Sequence, residues 1–150
     1  MKKTFTQKFW ANRSKKGFTL VELVMAIAIL AVIAAIAIPV VSSVIKTANQ
    51  NTDINNGKTV DLLVKEAYTE VMAGMSDYTK DTTVKTVLED QGLTDMFDGD
   101  KFAYKTKDYT SADQIQFYYD GKGSIVASIV DEADGLTELT PDTTIETACG

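Results

Sequence analysis

The sequence has no histidine, one cysteine and two prolines in 150 residues. Without an imidazole there is no usual general base, no Ser-His triad and no histidine-ligated metal. Cys149 stands alone one residue from the end, so no intramolecular disulfide can form. An intermolecular bridge stays open, but a free thiol on a frayed tail is the expected state. Other gaps concern position. No acidic residue precedes Glu22, no glycine lies between Gly17 and Gly57, and no charge interrupts the 19 residues Leu23–Val41. A helix of that length is roughly 30 Å long, enough to cross the hydrocarbon of a bilayer.

What is present is equally uneven. Six of the 15 basic residues, Lys2, Lys3, Lys8, Arg13, Lys15 and Lys16, precede the apolar run. The positive-inside rule keeps this leader cytoplasmic and sends the rest outward. Residues 18–150 hold nine basic and 21 acidic residues, a net charge of −12. So acidic a surface argues against nonspecific binding to phosphate backbones, and no specific nucleic acid is expected. Glu22 sits at the lip of the apolar run. A charge within a membrane-spanning helix costs about 2.5–3.5 kcal/mol on insertion scales, so this carboxylate calls for a partner.

A basic stretch before an apolar one is ordinarily a secretory signal, and Ala35-Ile36-Ala37 offers a small-x-small cleavage pattern. Here the run exceeds the usual signal core, Glu22 interrupts its start, and helical periodicity continues beyond it. Val41, Val44, Ile45 and Ala48 share one face, as do Val60, Leu63, Val64, Ala67 and Val71. Between them, Asn49–Gly57 is a poor helix former, which predicts a weakened or bent stretch. A helix from Phe18 to Ala73 would be roughly 84 Å long at 1.5 Å per residue. Pro39 lacks an amide proton and is expected to kink it.

The sequence Lys15-Lys16-Gly17-Phe18-Thr19-Leu20-Val21-Glu22, with its apolar continuation, resembles the N-terminal signature of type IV pilins and pseudopilins. The resemblance covers residues 15–45 in detail. It implies that a prepilin peptidase cuts after Gly17 and that the new amine of Phe18 is N-methylated. It also implies that Glu22 neutralises the Phe18 amine of a neighbouring subunit as helices bundle into a filament. Burying such a pair together is tolerable, whereas either charge alone is expensive. A capping or interfacial acid is the plainer reading of Glu22. Ala26, Ala28, Ala31, Ala34, Ala35 and Ala37 suit close helix packing, and equally suit an alanine-rich span.

Beyond Gly74 the pattern changes. Thr83–Gln91 reads as a short helix stopped by Gly92, and Lys101–Lys105, Gln114–Tyr119 and Ser124–Val130 read as strands. Asp120–Gly123 is the turn between the last two. The expected fold is α+β: a long helix, transmembrane in its first half and amphipathic in its second. A small antiparallel meander packs on its C-terminal half, three-stranded, or four-stranded if Leu136–Leu139 pairs. Residues 131–150 read as an irregular, weakly held tail. Of Phe117, Tyr118 and Tyr119, alternation turns one face to the core. Asp95–Asp100 and Asp131–Gly135 are acidic turns without EF-hand spacing; solvated loops are favoured over calcium sites.

These readings divide the chain into a leader (1–17) removed on maturation, a filament-core helix (18–45) and an exported domain (46–150). No nucleophile–base pair appears, so no catalytic, cofactor or metal site is expected. The leading expectation is a structural subunit of a type IV pilus. Its partners would be copies of itself, a prepilin peptidase, the membrane assembly machinery and the cytoplasmic membrane. The precursor would sit in that membrane and the product in a surface pilus. A pseudopilin of a secretion or DNA-uptake system is the first alternative, and a non-polymerising membrane-anchored binding domain the second.

Overall fold

The structure is a computed structural model and describes residues 17–150. The leader's basic residues therefore lie outside the described residues. The described residues divide into two units, the first ending at Val40 and the second spanning Val41–Gly150. A 54-residue helix, α1 (Leu20–Ala73), contributes to both. In the first unit α1 is apolar all round and buries none of it: every large hydrophobic residue from Leu20 to Val40 is at least half exposed.

In the second unit α1 buries one seam, Asp53, Gly57, Val60, Val64 and Ala67, spaced alternately by four and three residues. The helix ends where Gly74 adopts φ +68°. There the Gly74 and Met75 amides bond the carbonyls of Val71 and Glu70 at 3.1 and 3.0 Å, a Schellman closure.

The weak helix formers of Asn49–Gly57 do not break α1. They are the residues through which it holds the loop that follows Phe102. Asn49 Nδ2 donates to the Tyr109 hydroxyl (2.8 Å) and Gln50 Nε2 to the Asp113 carbonyl (2.9 Å). Asp53, fully buried, accepts from the Lys105 and Thr106 amides at 2.9 Å each and from the Thr106 hydroxyl at 2.8 Å. Lys46 pairs with Asp113 at 2.6 Å, and that ammonium, hydrogen-bonded to the carboxylate, holds Asp113 below the usual carboxylate range. Gly57 admits close packing: a Cβ there would lie 2.6 Å from the Ala127 Cβ and 3.1 Å from the Phe117 ring.

The sheet packed against this helix is antiparallel, with β3 (Ile115–Tyr119) between β4 (Ile125–Ile129) and β5 (Thr137–Glu138). Phe117 lies opposite Ala127, and Tyr118 opposite both Val126 and Glu138. The expected strand at Lys101–Lys105 does not join this sheet. Only β2 (Lys101–Phe102) is extended there, and it forms a separate hairpin with β1 (Phe97–Asp98). The reason lies in the next residues. The Tyr104 hydroxyl accepts from the Phe117 amide (3.1 Å) and the Thr106 hydroxyl from the Ile115 amide (2.9 Å). Side chains thus occupy the edge of β3 where a strand's backbone was expected, and the edge is closed.

The C-terminal segment is not a loose tail. Leu139, Ile145 and Ala148 are buried in the core, and α3 (Ile145–Cys149) ends the chain. Its hold comes from an unanticipated internal repeat. Thr79-Lys80-Asp81-Thr82-Thr83-Val84-Lys85-Thr86 recurs as Thr140-Pro141-Asp142-Thr143-Thr144-Ile145-Glu146-Thr147. Thr83 caps the Thr86 amide at the start of α2 (Val84–Asp90), and Thr144 caps the Thr147 amide of α3. The two copies pair antiparallel at Thr83 and Thr144 with reciprocal bonds. The Val84 amide reaches the Thr143 carbonyl and the Ile145 amide the Thr82 carbonyl, both at 2.9 Å. The Lys85 amide to the Pro141 carbonyl (2.9 Å) and the Glu146 amide to the Lys80 carbonyl (3.3 Å) repeat the symmetry. Cys149 is therefore half-buried in a helix rather than frayed, and burial pushes its thiol pKa up.

Candidate processing and assembly site

The sequence signature centres on the residues that lead into α1. Gly17 and Phe18 precede the helix, and Phe18 is 81% exposed. Among the described residues nothing lies within 4 Å of where a Gly17 Cβ would sit.

Thr19 occupies the cap position. Its hydroxyl accepts from the Glu22 amide at 3.2 Å, and its carbonyl accepts from the Leu23 amide at 3.1 Å. Thr19-Leu20-Val21-Glu22 is thus the Thr-x-x-Glu pattern of a capping box, a signal readable in the sequence that the motif reading passed over. The box is half filled: the Thr19 oxygen serves the helix, while the Glu22 carboxylate makes no hydrogen bond or ion pair among the described residues. Glu22 is exposed in the first turn, where the helix dipole favours a negative charge by about 0.3–1 kcal/mol. Pro39 lies within α1, which is helical on both sides of it.

The side chains behind Glu22 determine what can surround it. Sixteen large apolar residues between Leu20 and Ile45 are at least half exposed. A patch of that extent is not stable in water and needs lipid or other helices against it. Among the described residues α1 is the one helix long and apolar enough to cross a membrane.

The comparison with known families falls on this segment. Residues 12–38 match the family described as the prokaryotic N-terminal methylation motif. The chain carries the prepilin signature. That motif is shared by type IV pilins and pseudopilins, and it points to a structural, membrane-anchored protein of pilin type. No curated protein and no solved structure matches the chain.

The two acidic turns are remote from the motif in sequence. Among the described residues no three Asp, Glu or Cys side chains converge on a point able to hold an ion. Asp98 and Asp100 instead face Lys107 (3.7 Å) and Lys85 (3.4 Å).

Proposed function

We propose that this chain is the precursor of a type IV pilus subunit, cut after Gly17, N-methylated on Phe18 and polymerised through α1. The methylation motif carries this reading, because its glycine, its glutamate and its apolar helix occur together in one segment. Gly17 has no side chain and so suits a protease cleft that admits only backbone. Cutting there creates a cationic amine at Phe18, within a turn of an exposed, unpaired Glu22. As apolar helices bundle, the amine of one subunit meets the Glu22 carboxylate of another, and each removes the cost of burying its partner. Pro39 loosens α1 within that bundle, since position 39 has no amide to donate. The product is a leader of residues 1–17, a core helix of 18–45 and an exported domain of 46–150. Its partners are other copies, a prepilin peptidase and the membrane assembly machinery.

Two measurements test this. Mass spectrometry of the surface protein should show N-methylated Phe18 as its first residue; a start near Val40 would mean a secretory signal instead. Glu22→Gln separates assembly from capping. Glutamine serves in a capping box as glutamate does, so a capping role predicts normal filaments. A charge-pairing role predicts processed protein that stays in the membrane, as for Glu22→Ala.

A further inference from the structure

A cleft of about 500 Å³ lies between the β1–β2 hairpin, the start of β3 and the segment that follows β5. Its size is that of a small-molecule site, which typically spans about 300–1,000 Å³. Half-buried Tyr104 and buried Leu139 and Pro141 form apolar wall, and the Tyr104 hydroxyl is already engaged at the Phe117 amide.

Two polar side chains of the lining, Gln114 and Gln116, are held by hydrogen bonds. Gln114, Gln116 and Tyr118 alternate onto one face of the β3 segment, and Glu138 is the register partner of Tyr118. The Tyr118 hydroxyl donates to Gln116 Oε1 at 3.1 Å, which leaves the two N–H donors of the Gln116 amide without a partner among the described residues. Gln114 is turned the other way: its nitrogen donates to the Lys107 carbonyl at 3.4 Å, leaving its oxygen as an acceptor. The Glu138 and Asp142 carboxylates have no hydrogen-bond or ion-pair partner among the described residues.

Charge narrows the ligand. Four carboxylates, Asp98, Asp100, Glu138 and Asp142, line the cleft and repel an anion. Lys101 and Lys107 line it too, and Lys85 neutralises Asp100 from outside, so a polycation gains little. What remains is the donor group of Gln116 beside the Gln114 oxygen and two unpaired carboxylates as acceptors, over an apolar wall. Vicinal hydroxyls both donate and accept and carry an apolar C–H face, so they match that set. We propose that this cleft binds a neutral carbohydrate, one or two sugar units of a glycan. The inference does not depend on the filament reading.

The test is a ¹H–¹⁵N titration of the full chain in micelles of a sugar-free detergent. The probes are N,N′-diacetylchitobiose, lactose and maltose, with trilysine and glucose 6-phosphate as charged controls. At about 10 mM sugar, within reach of millimolar affinity, at least one disaccharide should shift the Gln116 side-chain NH₂ and the Glu138 amide. Gln116→Ala and Glu138→Gln should each weaken that binding about tenfold while the other resonances stay in place. Exposed Glu138 on a two-residue strand makes the second variant safe for folding. Silence toward all three sugars overturns the proposal, as does a response at these residues to trilysine alone.

Discussion

Removing the Asp53 carboxylate should undock the loop that closes the sheet edge, and the structure allows the cost to be worked out. Asp53 is fully buried and accepts three hydrogen bonds, from the Lys105 amide, the Thr106 amide and the Thr106 hydroxyl. In Asp53→Ala the Thr106 amide is buried without an acceptor, costing about 1–3 kcal/mol. The Lys105 amide lies nearer solvent and recovers water, so its loss is below about 1 kcal/mol. Thr106 adds a further penalty, because its hydroxyl also accepts from the Ile115 amide at 2.9 Å and loses the carboxylate that orients it. Relief of the carboxylate's desolvation offsets part of the sum. A net destabilisation of about 3 kcal/mol is expected for Asp53→Ala. Asp53→Asn should cost about 2 kcal/mol, because one end of the amide opposes an N–H with another N–H. The assay is urea unfolding of the full chain in micelles, followed by tyrosine near-UV circular dichroism. Exchange of the Thr106 and Ile115 amides supplies the local readout. A double-mutant cycle with Thr106→Val should give a coupling of about 1–2 kcal/mol. A loss under about 1 kcal/mol with unchanged Thr106 exchange would refute the argument.

Gly57→Ala should destabilise by about 2 kcal/mol even though alanine is the better helix former by about 1 kcal/mol, because its Cβ would sit 2.6 Å from the Ala127 Cβ. Adding Ala127→Gly should recover most of the loss in the same urea melts. Thr83→Ala and Thr144→Ala should each cost about 1 kcal/mol and agree closely, since each removes the same cap from one copy of a symmetric pair. Asp120 accepts from the Lys122 and Ser124 amides at 2.8 and 3.0 Å, bonds that hold its pKa below its ordinary 3.8. A carboxylate depressed in the folded state stabilises it fully above the unfolded value and stops doing so as pH falls through the folded one. The Lys122 and Ser124 amide shifts should therefore titrate with a midpoint below 3.8. A midpoint at or above that value would remove the bonds from the account.

Much of the architecture was legible because it rests on periodicity. The seam at Val60, Val64 and Ala67, the helix ending at Gly92 and the two long strands follow from spacing and turn residues alone. The misreadings share one cause: side chains doing what backbone usually does. Tyr104 and Thr106 alternate with their neighbours like strand residues, yet it is their hydroxyls that meet β3. Residues 140–147 look like polar tail, and their order appears only when laid against 79–86, because each copy supplies the partners for the other's amides. At the proposed processing site Gly17, Phe18 and Glu22 were legible as a motif, whereas the capping role of Thr19 was hidden by the same letters serving two purposes.

The stretch Asn49–Gly57 makes the general point. By propensity alone it is the weakest part of α1, and asparagine, aspartate and glycine there cost helix stability relative to alanine. Alanine at each position would give a better helix and a worse protein. Asn49, Gln50 and Asp53 recover that cost through bonds to Tyr109, Asp113 and Thr106, residues more than fifty positions away, and Gly57 recovers it through contact with Ala127. The helix is therefore firm at this point only when the domain is folded on it.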